Sequence, residues 1–188
     1  MKIKLFVKDY IKKLSAILSE INPDDVANIV EALEKTLEDK SRVYIIGNGG
    51  SAATASHMVN DLGAGLRRRD IVNFDVVSLA DNTPVVTAIS NDIGYENIFY
   101  MQMKGLVKKN DIVIAISCSG DSPNIVKAVD YAQNVGCKIL GITGFSGGYL
   151  KQISDINFHI NAPKDDYGLV EDAHMVLDHI IYSYYNQK

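Results

Sequence analysis

The sequence predicts an α/β protein with a doubly wound, five-stranded parallel sheet flanked by helices and preceded by two further helices. Two features predict it. Short apolar runs that do not alternate, such as Val43–Ile46, Asp111–Ile116 and Cys137–Ile142, are separated by amphipathic stretches. That is the pattern of strands covered on both faces by helices. Two of the runs also end in Gly/Ser loops that lead straight into helices, and the carboxyl ends of such strands are where ligands bind in open α/β sheets.

The elements follow in order. Residues 3–20 read as a helix, because Leu5, Ile11, Leu14, Ile17 and Leu18 recur at three- and four-residue intervals with lysines between them. Pro23 and Asp24 break it and start a second helix, with Val26, Ile29, Val30, Leu33 and Leu37 on one face, to about Lys40. Two helices before any strand exceed what a minimal sheet needs, so residues 1–40 are expected to serve oligomerisation. Val43–Ile46 is a strand ended by Gly47-Asn48-Gly49-Gly50-Ser51, and a helix rich in alanine follows over 51–63. Phe74–Leu79 is the next apolar run, and 83–90 and 97–107 look helical. Asp111–Ile116 is a strand stopped by Ser117-Cys118-Ser119-Gly120-Asp121-Ser122. A helix over 123–135 has proline at its first position, where the missing N–H costs nothing. Cys137–Ile142 and Ile156–Ile160 are the fourth and fifth strands, and 168–186 a closing helix.

Composition narrows the function. At 188 residues, 47% hydrophobic and 22% charged, the chain fits one globular domain over 1–188. A net charge of −4 argues against a nucleic-acid binder, which needs a basic face. Two cysteines, Cys118 and Cys137, are too few for a disulfide scaffold or a thiolate zinc site. No apolar run approaches a membrane span, and the lysine-rich N-terminus does not read as a signal peptide. The expectation is a soluble cytoplasmic protein that binds neither nucleic acid nor membrane.

The two loops suit an anion. Each opens a helix N-terminus, where free N–H groups and the dipole favour negative charge. Glycines let the backbone approach a ligand, and the serine hydroxyls add neutral donors. Neither loop carries a P-loop lysine or the G-x-G-x-x-G spacing, so a phosphate monoester fits better than a nucleoside triphosphate or a dinucleotide. Taken singly, each reads more readily as an ordinary glycine turn with serine caps; two of them at strand ends of one small parallel sheet are less easily dismissed.

The histidines and carboxylates pattern on two helices. His57 and Asp61 are four apart and share a face. Glu171 and His179, eight apart on the last helix, also lie nearly on one face, and His174 and Asp178 form another four-residue pair on a different stripe. Two helices each offering an acid and an imidazole suit zinc, and other first-row divalent metals also fit. The alternative is a set of surface pairs that hold no metal. His159, in the last strand, is read as structural.

GNGGSAATASH, LADNTPVVTAISNDIGYENIF and ISCSGDSPN together resemble the sugar isomerase (SIS) domain, and within it the phosphoheptose isomerases. The resemblance runs from the first helix to the last. It implies a flavodoxin-like three-layer sandwich, a homotetramer with sites near subunit interfaces, and conversion of sedoheptulose 7-phosphate to a heptose 7-phosphate for surface polysaccharide. By resemblance, Asn48, Gly49, Gly50, Ser51, Asp92, Ser117, Cys118, Ser119, Ser122 and Glu171 bind substrate. His57, Asp61, Glu171 and His179 hold one zinc ion, with Asp61 and His179 as the acid–base pair. The chain departs from the family in four places: Asp61 stands for a Glu, Glu171 for a Gln, Gly168 for an Asp and Gly65 for an Arg. The second reading is a non-catalytic SIS module, either a phosphosugar sensor or an adaptor of the kind that binds a replication initiator.

Overall fold

The computed structural model describes residues 2–187. Its elements are α1 (Lys2–Ser19), α2 (Pro23–Asp39), β1 (Val43–Gly47), α3 (Gly50–Met58), a π-helical segment Val59–Gly65, β2 (Val76–Ser78), α4 (Thr83–Ile93), a 3-10 turn Tyr95–Asn97, α5 (Ile98–Met103), β3 (Ile112–Ser117), α6 (Pro123–Val135), β4 (Lys138–Gly144), α7 (Gly148–Ile153), β5 (Ile156–Ile160) and α8 (Tyr167–Asn186). The five strands form one sheet in the order β2-β1-β3-β4-β5, and every pairing is parallel. The expected doubly wound sheet is present.

The strands are non-alternating because both faces are covered. Val43, Ile45, Ile112, Ile114 and Ile116 pack with residues of α2, α3 and α8, such as Leu33, Met58 and Leu177. Tyr44, Ile46, Val113 and Ala115 point the other way, against residues of α5, α6 and α7 such as Phe99, Val129 and Leu150. Local signals set the helix ends. Asn22 caps α2 by accepting from Asp24 N at 3.0 Å, and Lys40 closes it in the left-handed region at φ 51°.

Four segments differ from expectation, one of them the helix expected over 97–107, which is the six-residue α5 ending at Met103. The helix after the first loop does not end near residue 63 but widens into a π-helical turn through Gly65. There the helix passes close to β2, and a Cβ on Gly63 would come within 3.0 Å of Val76. The run Phe74–Leu79 contributes only three strand residues, Val76–Ser78, which form an edge strand paired with β1. Finally, α7 has no counterpart in the sequence reading, since its six residues span too few turns for an apolar stripe to register.

Helix α1 has no fully buried residue. Ile17 and Leu18 pack on the core, and Tyr10 donates to Asp172 of α8 at 2.7 Å. Ile3, Leu5, Phe6, Val7 and Ile11 are exposed.

Candidate active site at the carboxyl edge of the sheet

The strand order places β1 and β3 side by side, while the chain leaves β1 for β2 on the opposite flank. This reversal opens a crevice at the carboxyl ends of the two strands. The two Gly/Ser loops are the ones that follow β1 and β3, so the fold brings them together.

They form a small cavity of about 140 Å³ lined by Asn48, Ser51, Ile116, Ser117, Cys118, Ser119, Ser122, Tyr167 and Glu171. Gly49 makes the turn into α3 at φ 53°. Ser117 Oγ accepts from Gly120 N at 3.1 Å and Ser119 Oγ from Asp121 N at 3.3 Å, so both hydroxyls shape their own loop. Ser122 sits at the N-cap of α6 and its side chain makes no capping bond, which leaves it available to a ligand. Burial, with the Glu171 charge adding to it, pushes the Cys118 thiol up to about 11. It stays protonated, a weak donor and not a nucleophile.

Asn48 is locked in place. It exchanges hydrogen bonds with Asn124, Nδ2 to Oδ1 at 2.9 Å and the reverse at 2.8 Å, and Tyr95 OH donates to its Oδ1 at 2.9 Å. Asn124 Oδ1 also accepts from Ile125 N at 3.0 Å. A backbone N–H can only donate, so this bond fixes which end of each amide is oxygen. Asn48 Oδ1 is then filled, and the group left for a ligand is an Nδ2–H donor. Neither Asn124 nor Tyr95 was singled out from the sequence, although both lie inside the quoted motifs.

The second cluster lies where α3 and its π-helical extension meet α8. His57, Asp61, Asp178 and His179 each place a ligand-type atom within 4.8 Å of the others. The His57 and His179 rings are edge-on with centroids 5.1 Å apart. His57 Nδ1 lies 2.8 Å from Asp178 Oδ2 and 3.7 Å from Asp61 Oδ2, and Asp61 Oδ1 accepts from Asn60 Nδ2 at 2.8 Å. Asp61 is buried and Asp178 fully so. Burial, joined by the nearby Asp61 charge and opposed by the His57 hydrogen bond, pushes the Asp178 carboxyl up to about 6. Asp178 Oδ1 is buried with no hydrogen-bond partner. A cluster of two imidazoles and two carboxylates, one of them with an orphaned oxygen, fits a divalent cation.

Three of the four residues expected to hold the metal therefore meet. Glu171 is not among them. Its carboxylate lies over the first turn of α3, so that a Cβ on Gly50 would fall 2.3 Å from the carboxylate atoms, and it lines the serine cavity instead. Asp178 lies in the cluster instead. The sequence pairs it with His174, four residues earlier, but His174 instead turns Nε2 to the Thr143 carbonyl at 3.2 Å. Asp92 lies apart from both clusters in the single chain. It is exposed in the last turn of α4, accepts from Asn91 at 2.9 Å and does not line the serine cavity. His159 bonds Thr143 Oγ1 at 3.0 Å. A larger cavity of about 750 Å³ opens beside β2 between Arg42, Asp75, Leu79 and Met101, and none of the expected site residues lines it.

The chain has close relatives. The SIS domain family model matches residues 9–144. A phosphoheptose isomerase of Geotalea daltonii is 36% identical over 180 residues, 96% of this chain and 92% of the relative. One from Helicobacter pylori strain P12 is 36% identical over 174 residues, 93% of this chain and 87% of the relative. The solved structure of a phosphoheptose isomerase from Francisella tularensis superposes with a TM-score of 0.84 at 26% identity, covering 100% of this chain and 97% of that one. With its motifs at the switch point of the expected sheet, the chain belongs to the SIS domain family, among the phosphoheptose isomerases.

Proposed function

We propose that the chain is an aldose–ketose isomerase that converts sedoheptulose 7-phosphate to D-glycero-D-manno-heptose 7-phosphate for surface polysaccharide. The observation that carries this reading is an anion-binding cavity at the start of α3 with a His/carboxylate cluster further along the same helix. Ser51 lies in the first turn of that helix and His57 near its end. Six residues at ~1.5 Å each put the cluster about 9 Å beyond the phosphate loop, a span that suits a long sugar chain.

The phosphate is held by Ser51, Ser119 and Ser122 with the first-turn N–H groups of α3 and α6. Asn48 donates its free Nδ2–H to a substrate oxygen, and Glu171 orients hydroxyls near the phosphate end. Asp61 removes a proton from C1 while His179 gives one to the C2 oxygen, which forms the enediol. Asp61 then returns its proton to C2 as His179 takes the O1 proton, which leaves the aldose. A metal ion at His57, Asp61 and His179, zinc in this proposal, would polarise the two sugar oxygens. Asp61 is a methylene shorter than the Glu of the family, and its place in the widened π-helical segment supports the same role by setting where its carboxylate falls.

A homotetramer in the cytoplasm belongs to the same proposal. The exposed apolar stripe of α1 supports assembly, and no helix among the described residues is long and apolar enough to cross a membrane. The non-catalytic reading is disfavoured by the retained histidines and carboxylates, which a phosphate sensor does not need.

The test is incubation with sedoheptulose 7-phosphate while aldose phosphate is followed. Product forms, stops with a chelator and resumes with zinc. Folded, zinc-supplied protein that makes no aldose refutes the proposal.

A further inference from the structure

Asp178 and Glu171 sit on the same helix, and it is Asp178, not Glu171, that meets His57, Asp61 and His179. Asp178 is fully buried, and one of its oxygens has no partner. A buried carboxylate costs several kcal/mol unless a cation or donors compensate it. Its other oxygen meets His57 Nδ1 at 2.8 Å. An ionised carboxylate can only accept, so this bond makes Nδ1 the protonated nitrogen and Nε2 the lone pair. Carboxylates that fix a ligating histidine through its second nitrogen orient the ring and raise its basicity, and their loss commonly costs ~10–100-fold in metal affinity. Glu171 has none of these features. It lies outside the cluster, partly exposed, against the first turn of α3, where the helix N-terminus offers positive potential without any metal.

We propose that Asp178, and not Glu171, supplies the second carboxylate of the metal centre. It is a positioning residue that holds His57 as the Nδ1–H tautomer, so that Nε2 is left for the cation. With Asp61 it brings two negative charges to the dication, so that the two buried carboxylates balance its charge. Glu171 is thereby free to serve the sugar phosphate. This inference rests on the metal-dependent reading of the site, but its test needs no substrate.

Chelator-stripped protein is titrated with zinc by calorimetry, and metal-free melting temperatures are recorded alongside. Asp178→Asn is expected to weaken zinc binding 10- to 100-fold with metal-free stability unchanged or raised, because a buried unpaired charge is gone. Glu171→Gln is expected to stay within threefold of wild type. A tenfold loss in Glu171→Gln, or none in Asp178→Asn, overturns the proposal. Imidazole nitrogen–proton correlation spectra of metal-free wild type decide the matter even if Asp178→Asn does not fold. His57 is expected as the Nδ1–H tautomer, and an Nε2–H tautomer overturns the assignment. Wild type that binds no zinc overturns this proposal and the metal-dependent chemistry together. Zinc binding without turnover removes only the isomerase reading.

Discussion

Replacing Gly120 by alanine separates a loop held by backbone contact from one that is merely permissive. Gly120 has φ 74°, and a Cβ built on it lies 1.9 Å from the Gly147 carbonyl oxygen and 2.6 Å from its carbon. Ordinary contact begins at 3.4 Å, so one segment must move by about 1.5 Å, and neither is a side chain that can swing aside. The two are also tied, since Gly120 O accepts from Leu150 N at 3.0 Å. The left-handed conformation costs an alanine about 1–2 kcal/mol, and the steric displacement adds about 1–3 kcal/mol. The melting temperature should fall by roughly 5–20 °C for a chain of this size. The shift moves Ser119 and Ser122 by more than an ångström, which should lower kcat/KM for the ketose phosphate by ~10²-fold. Gly105→Ala is the control. Gly105 has φ 77° but nothing within 4 Å of a built Cβ, so it bears only the conformational cost and keeps its activity. Matching melting temperatures for the two variants, with full activity in Gly120→Ala, would refute the reasoning.

Three further outcomes are expected. Tyr95→Phe removes one of the bonds that hold the Asn48 amide, so kcat/KM should fall roughly 2–10-fold with little change in melting temperature; an unaltered rate shows that the Asn124 pair alone suffices. Burial lowers His174 from 6.5 to about 4, so between those values the unfolded chain binds a proton that the folded chain refuses, and this histidine makes stability rise with pH across that window. Relative to His174→Gln, in which every other titrating group is kept, wild type should lose about 3 kcal/mol in urea unfolding between pH 7 and pH 4, and a pH-independent difference counts against a neutral buried imidazole. Ile3→Ser with Phe6→Ser, two exposed positions on α1, should shift light scattering from a tetramer to smaller species, and an unchanged mass places the subunit contact elsewhere.

Local chemistry made the parallel sheet and the two ligand loops legible in the sequence. Strands buried on both faces must be apolar at successive positions, as in Val43–Ile46, and a loop that turns from a strand into a helix beside a ligand needs small residues, as at Gly49 and Gly120. Those constraints act within a few residues, so a linear reading captures them. The pairing of His57, Asp61 and His179 was accessible by helix periodicity joined to family resemblance. Tertiary structure alone decided which strands neighbour each other, and so that the β1 and β3 loops share one crevice. It also decided the fate of the last helix's acids. Along the chain Asp178 belongs with His174 and Glu171 with His179. In the fold α8 meets α3 so that Asp178 faces His57, 121 positions earlier, while Glu171 falls over Gly50. Helix periodicity states which residues share a stripe. Which stripe meets which neighbour depends on the packing angle and rotation of two helices, and these are set by the whole core between them.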